Sequence, residues 1–455
     1  MIFNSYIFLF IFFPIMLSIF YMLIKYGFKN SAVLLIGISS VIFYSFEGYD
    51  FLHILLISII FNFIIGNSLR STKSFKKIFL IIGVCFNIGL LFYFKYYNFF
   101  LSTLDISSLS IILPIGISFY TFTQIAFIAD CYNTETKSYS FTEYLCFVTF
   151  FPHLIAGPIL IHKNFIPQLR NNKFGKPSYS RIYAAIIFFS VGMFKKVMIA
   201  DTLSPYVTVL FLQDNLTLLE AWSAALLYTF QLYYDFSAYS EMAVGLALLM
   251  NLKIPINFNS PYKSTSIIDF WRRWHISLSF FLKNYLYIPL GGNKLGKKRK
   301  YLNLFITMVI GGIWHGAGYT FAVWGILHGL YLCINHYYRQ LGLKINNILS
   351  WLITFIAVVI SWVFFRSPDI QTALNILRSM FGFGENSLLM PNIDNPFFTT
   401  IAILSLLAWL VIAPNTRQIA ISRSPKKIYV IISALILYFS ILNFTDITEF
   451  IYFQF

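Results

Sequence analysis

Asp269-Phe-Trp-Arg-Arg-Trp-His-Ile-Ser-Leu-Ser279 opens the block on which the reading of this chain turns. The block continues through Lys283-Asn-Tyr-Leu-Tyr-Ile-Pro-Leu-Gly-Gly292 and the basic run 294–300, and it closes on Gly311-Gly-Ile-Trp-His-Gly316. Its apolar pieces are mostly too short to cross a bilayer, yet the chain on either side is oily. Two histidines, an arginine pair, three tryptophans and paired glycines sit inside or beside these pieces. Ionisable groups at membrane depth are costly, which makes them functional candidates by default.

Outward from this block, 58% of the 455 residues are hydrophobic and only 11% are charged. A soluble domain carries about 25% charged residues. Apolar runs of about twenty residues recur, enough to cross about 30 Å of hydrocarbon. The alternating strands of about ten residues that build an outer-membrane barrel are missing from the pattern. The expected fold is all-α: a polytopic integral membrane protein with roughly eleven transmembrane helices.

The net charge of +16 comes from Lys and Arg clustered in short loops between apolar runs. That is the positive-inside bias of a membrane protein, so no nucleic-acid partner is expected. Residues 2–24 read as a retained first span, without the basic start or small-residue cleavage site of a signal peptide. Lys25 and Lys29 place its end in the cytoplasm and the N-terminus outside. Residues 32–46, 51–69, 78–94 and 111–129 then alternate, with Arg70, Lys73, Lys76 and Lys77 inside. Residues 141–160 hold two prolines and a glycine, so they read as a broken, re-entrant element. Spans follow at 182–200 and 218–234. Between Lys253 and Lys300 stand ten basic residues and one acid, Asp269, on the cytoplasmic face. Residues 301–336 form one broken helix or two helices meeting near Gly316. The last spans are 348–365, 397–413 and 428–442, with Arg417, Arg423, Lys426 and Lys427 in an inner loop.

The chemistry-bearing groups are few. Glycines flank His315, which lets substrate or backbone approach closely, and its imidazole can take a proton from a hydroxyl and return it to a leaving group. His275 follows Trp271-Arg-Arg-Trp274; on a continuous helix, Trp271 and His275 share a face. Arg272 and Arg273 either pair with phosphate or carboxylate oxygens or anchor the interface beside Trp274. Asp235, with Ser237 and Tyr239 close behind, needs a histidine or arginine partner at this depth. It either orients an imidazole or ties two helices. His328, His153 and His162 read as packing residues. The four cysteines, Cys85, Cys131, Cys146 and Cys333, lie far apart and show no metal-ligand spacing, so no metal is expected. Nucleotide-binding, kinase and serine-hydrolase motifs are not apparent. A transporter with a polar midplane site is the rival reading, but it predicts two matching halves where this chain has one linear block.

The motifs Phe151-Pro-His-Leu-Ile-Ala-Gly-Pro-Ile159, Asp235-Phe-Ser-Ala-Tyr-Ser-Glu-Met-Ala243, Asn257-Phe-Asn-Ser-Pro-Tyr262, Asp269–Ser279, Tyr285-Leu-Tyr-Ile-Pro-Leu-Gly-Gly292 and Trp314-His-Gly316 run in family order. With them the chain resembles the membrane-bound O-acyltransferases, in the bacterial branch that O-acetylates alginate and peptidoglycan. The resemblance implies one domain over 1–455 with its core at 150–330. It implies helices and re-entrant segments around a central tunnel in the bacterial cytoplasmic membrane. It matches His315 to the family's catalytic histidine and His275 to its second signature position; the residues themselves offer Asp235, Ser237, Tyr239, Trp271, Arg272, Arg273, Trp274 and Trp314 as substrate contacts. It implies no bound cofactor, an acetyl-CoA or acyl-carrier thioester as donor, surrounding membrane lipid, and a periplasmic acyltransferase partner. The related branch that passes D-alanine from a carrier toward teichoic acid shares much of the pattern, so the donor stays open. Glu241 stands where many relatives have Asp, which keeps the charge.

Overall fold

The computed structural model describes every residue except 73, 108, 110, 134–137, 385, 386, 388, 422–426, 445–449 and 452–455. The expectations for Lys73, Arg423 and Lys426 lie outside the described residues. Among the described residues every regular element is a helix, as the composition predicts. Among the described residues, five helical stretches are long and apolar enough to cross a membrane: Phe8–Lys25, Lys29–Ser71, Lys76–Thr103, Tyr179–Phe211 and Asn347–Arg366. The second is two helices, Lys29–Gly48 and Leu52–Ser71, joined through Tyr49–Phe51. Pro396–Ile412 and Lys427–Leu442 are shorter apolar helices. The proline-rich segment is broken as expected, into Phe141–Thr149 and the single turn Phe151–Leu154.

The chain forms two compact units. One holds Met1–Met193, Ala238–Ile256 and Ala420–Gln454; the other holds Phe194–Ser237 and Asn257–Ile419. In the first, buried amides tie apolar helices together. Asn62 and Asn87 exchange hydrogen bonds at 2.7 and 3.3 Å. Gln124 donates to Ser58 Oγ at 2.8 Å and accepts from the Tyr144 hydroxyl at 3.2 Å. Such interhelical bonds are worth about 1 kcal/mol each in apolar surroundings and choose which helices meet. His162 is also structural here: it accepts from the Tyr139 hydroxyl at 3.0 Å and bonds Asp130 at 3.0 Å.

Seven helices concern the site and are numbered in chain order. They are α1 (Tyr179–Phe211), α2 (Leu218–Leu249), α3 (Ile267–Arg273), α4 (Ile276–Leu282), α5 (Gly296–His315), α6 (Tyr319–Gln340) and α7 (Asn347–Arg366). Residues 301–336 are thus two helices, the second of the two alternatives, and they part at Gly316–Gly318. One expectation fails: Trp271 and His275 do not share a helical face. Helix α3 stops at Arg273, Trp274 is extended, and His275 takes a left-handed conformation (φ 41°). Competing hydrogen bonds to Asn257, distant in sequence, break the helix there. The Ile276 N–H donates to Asn257 O at 3.0 Å and the Ser277 hydroxyl to Asn257 Oδ1 at 2.7 Å.

Candidate active site

Two glycines build the frame. A Cβ on Gly312 would lie 2.4 Å from the Phe321 carbonyl oxygen and 2.8 Å from Gly325 Cα; one on Gly325 would lie 2.6 Å from Met308 O. Helices α5 and α6 therefore touch backbone to backbone, which only glycine permits. His315 ends α5, one turn beyond Gly312, and is 3% exposed. Its ring packs at 5.0 Å from Trp314, 5.0 Å from Trp324 on α6 and 5.2 Å from Phe365 on α7. The imidazole sits in an aromatic shell that keeps water away.

The shell extends as a chain of rings. Trp324 lies 4.6 Å from His328, one helical turn further along α6, and 5.8 Å from Trp271 and from Trp362. The Trp271 indole N–H donates to His328 Nδ1 at 3.3 Å. Trp274 stacks on Phe270 at 5.6 Å and packs 4.9 Å from Trp362. The three tryptophans predicted as substrate contacts, Trp271, Trp274 and Trp314, thus belong to one aromatic body around His315.

His275 is fully buried and caps α4: its Nδ1 accepts the Leu278 N–H at 3.2 Å. A nitrogen that accepts an N–H carries no proton, so this ring is neutral with its proton on Nε2. In this arrangement His275 presents a donor, not a base. Its ring lies 4.7 Å from Phe236 on α2, and Phe236 joins it through Phe258 to Trp274 at 5.0 Å per step.

Asp235, beside Phe236, meets a lysine. Lys196 on α1 reaches both Asp235 Oδ1 and Asp201 Oδ1 at 2.8 Å. Lys196 and Asp235 are 1% and 3% exposed. The π-helical turn Lys195–Ala200 within α1 carries Lys196, as such turns often do at functional positions. The sequence signal was present: two lysines, Lys195 and Lys196, interrupt an apolar span, and intramembrane cations demand an explanation.

The other candidates scatter. Arg272 is exposed and Arg273 pairs with Asp269 at 2.9 Å. The buried Ser237 hydroxyl leans back toward the Tyr234 carbonyl at 3.5 Å. Tyr239 packs in the first unit, 4.8 Å from Phe3 and 4.9 Å from Phe450. Trp324, Trp362 and Phe365, which sequence reasoning did not single out, contribute most of the shell. Each looks like an ordinary aromatic in an oily helix until the helices meet.

Comparison with known proteins fits this arrangement. The family described as "MBOAT, membrane-bound O-acyltransferase family" matches residues 38–367. The chain is 40% identical over 428 residues to a peptidoglycan O-acetyltransferase of Helicobacter pylori, covering 85% of this chain and 81% of that protein. It is 41% identical over 432 residues to a probable alginate O-acetylase AlgI of Pseudomonas aeruginosa, covering 91% and 81%. A teichoic acid D-alanyltransferase of Bacillus subtilis is 27% identical over 271 residues, covering 55% and 66%. The rival transporter reading has no support here, and the chain belongs to the membrane-bound O-acyltransferase family as an O-acyltransferase.

Proposed function

We propose that this enzyme moves an acetyl group from a thioester on the cytoplasmic side of the bacterial inner membrane to a hydroxyl of a cell-envelope glycan, with His315 as the general base. The observation that carries the reading is His315 itself, an imidazole buried among Trp314, Trp324 and Phe365 at a backbone contact only glycines allow. A thioester is already activated, so no nucleotide hydrolysis is needed. What the reaction needs is a proton acceptor for a weakly acidic hydroxyl and protection of the thioester from water. The ring shell suits both. The relatives named for peptidoglycan and alginate O-acetylation direct the acceptor reading toward envelope glycans, reached directly or through a periplasmic acyltransferase partner. D-alanyl transfer is the weaker reading, because those relatives are more distant and align over about half of this chain.

In this reading residues 1–455 form one catalytic domain of roughly eleven spans, with a tunnel joining the two faces. The ten cations of 253–300 meet the anionic phosphopantetheine of acetyl-CoA or an acyl carrier. His275 and the Lys196–Asp235–Asp201 triad hold α4 and α2 in place around it. The test is His315→Ala in purified, membrane-reconstituted protein. Loss of thioester-dependent acetyl transfer by a hundredfold or more, with folding and insertion intact, is the expected result. Wild-type transfer by a well-folded variant sinks the assignment.

A further inference from the structure

Beside His315, the ring shell holds four N–H donors whose fates differ. The Trp362 indole donates to the Tyr262 hydroxyl at 3.1 Å and the Trp271 indole to His328 Nδ1 at 3.3 Å. The Trp324 indole N–H finds no acceptor among the described residues, and neither does His328 Nε2. An indole nitrogen can only donate, so Trp271 fixes His328 as the tautomer with its proton on Nε2. Both remaining groups are therefore N–H donors. Both are buried, at 1% and 0% exposure, with their rings 4.6 Å apart on one face of α6. Buried donors are costly unless an acceptor meets them, and Trp324 is also the ring packed 5.0 Å from His315.

We propose that Trp324 and His328 receive the carbonyl oxygen of the acyl group and stabilise it as an oxyanion during transfer. The proposal rests on the reading of His315 as the base. The acceptor hydroxyl gives its proton to His315 as its oxygen bonds to the thioester carbonyl carbon. The carbonyl π pair moves onto oxygen, where the Trp324 and His328 N–H groups hold it. Collapse restores the C=O bond and breaks the C–S bond, and the departing thiolate takes the proton from His315. Preorganised N–H donors aimed at developing charge are worth about 10²–10³ in kcat each. Trp271 is then a positioning residue, since it sets the tautomer of His328.

Trp324→Phe removes one N–H and keeps a ring, and His328→Leu removes the second donor. His328→Gln keeps an oxygen for Trp271 and an N–H for substrate. Each variant is reconstituted in nanodiscs with the wild type and given both acetyl-CoA and acetylated acyl carrier protein carrying a ¹³C-labelled carbonyl. Trp324→Phe and His328→Leu should each lower kcat about a hundredfold while donor affinity and the pH profile hold. The infrared band of the bound carbonyl should move to higher frequency, and His328→Gln should recover part of both changes. Wild-type kcat in Trp324→Phe and His328→Leu, or kcat loss with an unmoved carbonyl band, overturns the proposal. His315→Ala keeps the two questions apart. It should abolish turnover with the carbonyl band in place; if it turns over normally, the base is misassigned, while the band shifts still judge the donors.

Discussion

Gly312→Ala adds one methyl group where α5 touches α6. On the present backbone that carbon lies 2.4 Å from the Phe321 carbonyl oxygen and 2.8 Å from Gly325 Cα, whereas ordinary contact begins at 3.4 Å. Both neighbours are backbone, so no side chain can turn aside and the helices must part. Overpacking of this kind destabilises by roughly 1–3 kcal/mol. The effect on rate is larger. His315 rides on α5 and Trp324 on α6, with ring centroids 5.0 Å apart, and a misplacement of about 1 Å between reacting groups costs about a hundredfold. The neighbouring Gly311→Ala is the control, because its methyl meets only the flexible tip of Leu282, at 3.1 Å. Thiol release from the donor thioester and the melting temperature of the reconstituted protein measure both effects. Gly312→Ala should lose both rate and stability, and Gly311→Ala should stay near wild type. Equal behaviour of the two variants, or a fully active Gly312→Ala, refutes the idea that backbone contact sets the His315 geometry.

Lys196→Met removes the cation shared by Asp201 and the buried Asp235 and should cost roughly 3–5 kcal/mol; an unchanged melting temperature would show that the triad is not a tie. His275→Ala removes the α4 cap and should cost about 1–2 kcal/mol, whereas His275→Asn, which also caps and tolerates the left-handed conformation, should recover most of it; equal losses would remove the capping argument. Hydrogen bonds from Arg170 hold the carboxyl of Glu143, in the first turn of Phe141–Thr149, below its usual range. The stability this contributes is present above the unfolded value of about 4.3 and is lost as pH falls through the lower folded value. The melting-temperature gap between wild type and Arg170→Met should therefore close with acidification below that point, and a gap that widens contradicts the sign. For sidedness, single cysteines at Asp50 and Lys297, both exposed, are placed in a background without the four native ones. In intact spheroplasts a membrane-impermeant thiol reagent should label position 50 and spare position 297; the reverse pattern inverts the proposed topology.

The sequence by itself determined the solvent and the class. Oil in long runs with cations in short loops leaves helices as the only way to satisfy the backbone, since no strand pattern closes a barrel. It also determined the family, because the motifs from Phe151 to Gly316 occur in order, and it marked His315 through glycines whose need for close approach the structure bears out at Gly312. These are local properties, legible along the chain. Only the tertiary structure decided who meets whom. Lys196 finds Asp235 across 39 positions, and Trp271 finds His328 across 57. His275 leaves the helix its neighbours suggested because Asn257, distant in sequence, takes the hydrogen bonds that continuation would have used. In a membrane chain with 20% aromatic residues, any ring can be lipid-facing or catalytic shell. Helix crossing, set here by a few glycines, places Trp324, Trp362 and Phe365 around an imidazole and leaves other aromatics facing outward.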